Sequence, residues 1–207
     1  MENKISVVQV LQEGFGIGLK NAASIVGAVV LWLITIWIPY LNVGTTIAIS
    51  TVPIELSKGG IISPTFIFDA KYRQYMGEYF ALYGLMALSL IPAFYFLIVP
   101  GIVISIGWSL ALYILLDKGV APGEAMIQSN KATNGYKWTI FLIGLVKVIT
   151  LLILIWLVFQ ICDSGFFMFL LLLIVTAVYK SFSIGCDTVI YRNLTKEKVQ
   201  KESVSDF

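Results

Sequence analysis

Two long stretches of this chain carry no charge at all. No Asp, Glu, Lys or Arg occurs from Asn21 to Ile54, nor from Tyr79 to Leu116. As continuous helices these runs would reach roughly 51 and 57 Å at 1.5 Å per residue, nearly twice the ~30 Å hydrocarbon layer of a bilayer. Each is therefore expected to fold as a helical hairpin that crosses and returns. A third apolar block, Trp138 to Tyr191, is broken by Asp163-Ser164-Gly165, a tight-turn signal. The pattern predicts an all-α integral membrane protein with about six transmembrane helices arranged as three hairpins. The chain reads as a single transmembrane domain, 1–207, with hairpins at about 22–56, 79–116 and 138–191 and a tail at 192–207.

Punctuation within the runs places the turns. Pro39-Tyr40-Leu41-Asn42 marks the first and Pro100-Gly101 the second. The returning arms, about 43–56 and 102–116, would then cover only ~21–23 Å. Short, locally thinned spans are expected, with re-entrant segments shielded by other helices as the alternative.

The loops between hairpins share a pattern. After Lys58-Gly59 comes Ser63-Pro64, an N-cap followed by proline at the first helical position. Phe68, Tyr72, Tyr75, Met76 and Tyr79 then form a stripe, with Asp69 and Arg73 placed to pair at i, i+4. Lys118-Gly119, Pro122 and Gly135 repeat the spacing of Lys58-Gly59, Pro64 and Gly77. The N-terminal segment is a shorter version, with Ile5, Val8 and Leu11 on one stripe. Gly14-Phe15-Gly16-Ile17-Gly18 follows and reads as a flexible joint. The chain is thus parsed as an internal repeat of three units, each an amphipathic interfacial helix before a hairpin.

Charge sets the sidedness. Of the 14 basic residues, twelve lie before, between or after the hairpins and none at the three tips. The positive-inside rule then places both termini and both long loops in the cytoplasm. A net charge of +2 without a basic block argues against nucleic acid. Glu2 and Glu13 ahead of the first apolar run argue against a cleaved signal, so the N-terminus is expected to be retained. Composition agrees, with 58% hydrophobic and 13% charged residues, about half the charged share of a soluble domain.

Val99 to Gly144 carries a resemblance. Pro100-Gly101-Ile102, the run Leu110 to Asp117, Pro122-Gly123-Glu124-Ala125, Ser129 and Gly135-Tyr136-Lys137-Trp138 to Phe141 resemble the membrane domain beside some glycerophosphodiester phosphodiesterases. They are similar too to small bacterial multi-pass proteins of uncharacterised function. The resemblance implies an all-helical bacterial membrane domain. It implies no catalysis, because that family's active site lies on a separate barrel.

Candidate chemistry is sparse. There is no histidine, and no phosphate-cradling glycine loop or metal-spaced cluster. Cys162 and Cys186 would stand ~36 Å apart on one helix, beyond disulfide reach. Lys147 and Lys180 are the basic residues inside spans, each roughly 14–16 Å deep, and Asp187 is the nearest intramembrane acid. Two readings fit these three residues: a site for an anionic lipid, a ligand or a partner protein, or structural pairing with snorkelling. Glu55 and Asp117, at the ends of the short arms, are placed to reach inward. Gly101, Ser105 and Ser109 recur every four residues and form a candidate helix-packing face. Pro92 is expected to kink the third span.

These features lead to a non-enzymatic multi-pass protein of the bacterial cytoplasmic (inner) membrane. It would need no cofactor or metal, and would act through intramembrane contacts with lipid or another membrane protein. The alternative is a small carrier or channel-like protein for an anionic solute, which would need a continuous polar path.

Overall fold

The computed structural model describes residues 5–60, 62–161 and 165–205, with side chains through Thr195. Every regular element among them is helical. The expected break at Asp163-Ser164 and Cys162 lie outside that description, as do the side chains of the basic tail beyond Thr195.

Helix α1 (Val7–Lys20) opens on Ser6, whose Oγ accepts from Gln9 N–H at 3.1 Å. The expected glycine joint is instead continuous helix. Gly14 and Gly18 face Ser181 and Gly185 of the last helix, where the two backbones cross in contact. A Cβ on Gly14 would lie 2.7 Å from the Cys186 nitrogen, and one on Gly18 2.5 Å from the Ser181 carbonyl oxygen. Small residues four apart on both partners permit this approach. Gly16, on the other face, meets nothing. The buried stripe of α1 is Val10, Gly14 and Gly18, whereas Val8 points outward. The element expected to lie in the interface is therefore packed against protein along one side.

At Asn21 the chain bends by 76° into α2 (Ala22–Thr35). Helix α3 (Pro39–Ser50) returns, and α4 (Val52–Ser57) follows a break at Thr51. With 14 and 12 residues, α2 and α3 extend only ~21 and ~18 Å. Hydrogen bonds tie the two arms together. Trp32 Nε1 donates to Thr46 Oγ1 at 2.8 Å, Thr46 Oγ1 to Asn42 Oδ1 at 3.1 Å, and the Thr35 and Thr45 hydroxyls meet at 3.1 Å.

The two long loops begin alike. Lys58 and Lys118 close helices and are followed by Gly59 (φ 79°) and Gly119 (φ 64°), in the left-handed region that glycine tolerates. Pro64 and Pro122 each open the next element. They then diverge. The second loop forms α8 (Pro122–Thr133). The first forms two 3₁₀ turns, Pro64–Phe68 and Ala70–Tyr75, in place of the expected amphipathic α-helix. Asp69 is the cause: its backbone is extended and its carboxylate accepts from Lys71 N–H at 3.0 Å, which restarts the chain there. That carboxylate pairs with Lys71 at 3.4 Å instead of with Arg73, whose guanidinium lies over the Tyr40 ring at 5.9 Å.

Helix α5 (Met76–Phe96) runs through Pro92 as one 21-residue element. The chain reverses at Leu97, not at Pro100-Gly101. Pro100 falls in the first turn of α6 (Ile98–Gly107), where its missing N–H costs nothing. Helix α7 (Ala111–Lys118) continues α6 after a break at residues 108–110, and together they make a 21-residue arm, Ile98–Lys118. The break is satisfied from α8: Ser129 Oγ donates to the Gly107 carbonyl at 2.7 Å and accepts from Leu110 N–H at 3.1 Å. Freed backbone groups inside a membrane helix need such partners. Helices α9 (Lys137–Ile161) and α10 (Gly165–Ser205) complete the chain.

Among the described residues, four helices are long and apolar enough to cross a membrane: Ala70–Phe96, Ile98–Lys118, Lys137–Ile161 and Gly165–Thr195. The bent α1–α2 pair would supply a fifth. The six expected crossings are not reached, because α2 and α3 are each too short.

The lower part of α10 is the central post of the fold. Ile184, Cys186, Val189, Ile190, Tyr191 and Leu194 are buried on it, and α1, α2, α4 and α9 pack around it. Its first turns, with α5 and most of α9, present exposed Leu, Ile, Phe and Val instead. Such an apolar exterior suits lipid rather than water.

Candidate functional site

Charged side chains converge where the three returning arms end. Asp117, in the last turn of α7, is held through both oxygens. Lys58 donates to Oδ1 from just past α4, and the Tyr191 hydroxyl donates to Oδ2 at 2.5 Å from α10. The Tyr191 ring packs edge-on against Tyr113 at 5.9 Å. One carboxylate thus joins one residue from each hairpin unit. The hydrogen bond to Asp117, and behind it the charges of Asp117 and Glu55, hold the Lys58 ammonium above its ordinary value against partial burial.

Two further pairs flank this node. Arg192 bonds to Glu13 at 2.5 Å, fastening α10 to α1. Lys147 on α9 donates to Asp187 on α10 at 2.8 Å, and the Tyr179 hydroxyl donates to the Lys147 backbone carbonyl at 3.0 Å. Lys147 thus meets α10 at two points, through its carbonyl at Tyr179 and through its side chain at Asp187. Of the three residues singled out in the sequence, Lys147 and Asp187 are brought together. Lys180 is not. It occupies an exposed face of α10 and makes no ion pair among the described residues.

The candidate packing face divides. Gly101 is buried beneath Phe94, where a Cβ would come within 2.7 Å of the ring. Ser105 and Ser109 turn back on their own helix, donating to the Ile102 and Ile106 carbonyls at 2.8 Å each.

A polar cavity of about 290 Å³ opens beside the node. Glu55, Lys58 and Asp117 line it together with Lys71, Tyr72 and Gln74 of the second 3₁₀ turn. Glu55 and Asp117 were legible in the sequence as inward-reaching acids. Lys71, Tyr191 and the Glu13–Arg192 pair were not, because contacts between residues so far apart leave no local spacing to read. Among the described residues, no buried side-chain nitrogen or oxygen lacks a hydrogen-bond partner, and no three His, Cys, Asp or Glu side chains are grouped to hold a metal.

Fold and site together define an all-helical protein with several apolar helices suited to a membrane. No family model matches the chain, and no curated protein or solved structure does either.

Proposed function

We propose that the chain is a non-enzymatic multi-pass protein of the bacterial cytoplasmic membrane, acting through intramembrane contacts with lipid or a partner protein. One observation carries this reading. Lys147 inside α9 is paired with Asp187 inside α10, and Arg192 with Glu13, which leaves Lys180 as an exposed charge on α10, whereas the apolar side chains of α5 and α9 are turned outward. The Thr and Asn side chains of the first hairpin are spent on each other, so they line no polar path of the kind a carrier needs. The resemblance of residues 99–144 to a phosphodiesterase-associated membrane domain implies a bacterial membrane domain and bears only on that part of the reading.

Both termini and the charged node face the cytoplasm in this proposal, as the basic residues require. The four long helices cross. The shorter α2–α3 hairpin enters and leaves from the cytoplasmic side, its tip of Ile36, Trp37 and Ile38 immersed in hydrocarbon.

The test is reconstitution of the purified chain in liposomes, with assays for phosphodiester, ester and peptide hydrolysis and for anion flux. No turnover and no flux are expected. Hydrolysis lost on replacing one buried serine would overturn the non-enzymatic reading, and flux alone would replace it with a carrier.

A further inference from the structure

The cavity beside the node has an unusual charge balance. Lys58 and Asp117 neutralise each other, and Asp117 has no free oxygen. Glu55 is left without a partner among the described residues, and Lys71, paired only with Asp69 at 3.4 Å, lines the same space. Glu55 is exposed. Lys71 is exposed too, lying 4.9 Å from the centre of the Tyr72 ring.

A simple anion entering here would meet the Glu55 carboxylate, and a simple cation would meet Lys71. A group carrying both charges a few bonds apart satisfies both residues. At about 290 Å³ the space lies at the bottom of the ~300–1,000 Å³ range of small-molecule pockets, the scale of a headgroup rather than a larger metabolite. Its wall at Tyr72–Tyr75 leads directly into α5, and Tyr75, Tyr79 and Tyr83 continue along that helix at i, i+4, i+8. The Tyr79 and Tyr83 rings are in contact at 4.7 Å. Tyrosine is favoured at headgroup level.

We propose that this cavity binds a zwitterionic aminoalkyl phosphate, the headgroup chemistry of phosphatidylethanolamine, with the phosphate toward Lys71 and the ammonium toward Glu55. The assignment rests on the reading of the chain as a lipid-contacting membrane protein and names the lipid class. Gln74 adds a neutral donor and acceptor to the lining. The tyrosine stripe favours a lipid over a water-soluble molecule of the same chemistry.

The experiment titrates the full chain in detergent with short-chain phosphatidylethanolamine, the matching phosphatidylglycerol and soluble glycerophosphoethanolamine, followed by calorimetry. Phosphatidylethanolamine should bind about tenfold more tightly than phosphatidylglycerol, the size of one charge-assisted hydrogen bond. Glu55→Gln should abolish that preference, Glu55→Asp should retain it, and Lys71→Gln should weaken both lipids alike. The conservative Asp variant separates loss of the carboxylate from a folding defect, and thermal melts of each variant check the fold directly. Tighter binding of the lipid than of the soluble headgroup supports the lipid source, and equal binding supports the same chemistry from solution. Equal affinity for the two lipids, or a preference indifferent to Glu55→Gln, would overturn the assignment. That failure would leave the proposed function standing, because hydrolysis and flux are measured separately.

Discussion

The first two hairpins look alike in sequence and fold differently. Their charge-free runs are of similar length, and each contains a proline-marked turn. In the first, the arms are α2 and α3, short and fastened by Trp32, Thr35, Asn42, Thr45 and Thr46. In the second, the turn falls at Leu97, α5 alone has 21 residues, and the returning arm reaches full length by bridging a break that Ser129 satisfies. A run without charge therefore measures how much chain can enter a bilayer, not how far it crosses. Turn position and helix breaks decide the crossing.

Accessibility gives the largest contrast. In a background lacking Cys162 and Cys186, Val99→Cys at the second tip should react with an impermeant maleimide from outside. Trp37→Cys at the first tip, 87% exposed on the protein surface, should react from neither aqueous side if lipid covers it. Equal labelling from outside would restore two alike hairpins.

The third unit extends the contrast, because it carries charges at a depth where the second has none. Lys147→Met alone should destabilise by roughly 3–5 kcal/mol at most, since it leaves Asp187 uncompensated, while Lys147→Met with Asp187→Leu should be near neutral. Denaturation in mixed micelles reads the difference. Equal losses would mean that the pair is not coupled.

The glycine crossing joins the first unit to the third, through Gly14 and Gly18 of α1 and Gly185 of α10. Gly14→Leu should cost on the order of 1–3 kcal/mol or more by driving a side chain into the α10 backbone. Gly16→Ala, facing open space, should instead stabilise α1 by up to about 1 kcal/mol. Thermal melts that rank these two variants the other way would refute the crossing.

The hydrogen bonds of the first hairpin yield a smaller effect. Thr45→Val should cost about 0.5–1.5 kcal/mol by removing the contact across to the Thr35 hydroxyl, which keeps its bond to the Trp32 carbonyl at 2.8 Å. Ser105→Ala in the second hairpin removes only a bond to its own helix, and should change stability by less than about 0.5 kcal/mol. Indistinguishable melts would erase the distinction between the hairpins.

The smallest effect is a pH dependence at the node. The Lys58 value is raised on folding, so its contribution is fully present below the ordinary lysine value of about 10.4 and is lost as pH rises through the folded value. Because Lys58 is largely exposed, the decline should be slight. Wild type and Lys58→Met should converge in melting temperature as pH rises above that value.

Local signals in the sequence were reliable where the cause was local. Pro64 and Pro122 open elements, and Gly59 and Gly119 follow helix ends, because proline geometry and left-handed backbone depend on one or two residues. The helical, apolar character of the chain was equally legible. Gly14 and Gly18 read as a joint in the sequence because helix propensity alone disfavours glycine, and the compensating contact comes from residues near 185. The aromatic spacing of the Pro64–Tyr75 segment fits an α-helix, but the Asp69 carboxylate bonds the Lys71 N–H and the segment forms two 3₁₀ turns instead.

The sequence by itself determined that this chain is an all-helical protein with apolar helices suited to a membrane, since burying backbone polar groups in hydrocarbon leaves helices as the solution for such runs. It also carries the asymmetry of basic residues on which the proposed orientation rests. Tertiary structure decided the rest. It chose Lys147 over Lys180 as the partner of Asp187, gathered Lys58, Asp117 and Tyr191 into one node, and opened a cavity lined by Glu55 and Lys71. Each depends on which helix faces meet across tens of residues, a property of packing that no local spacing encodes.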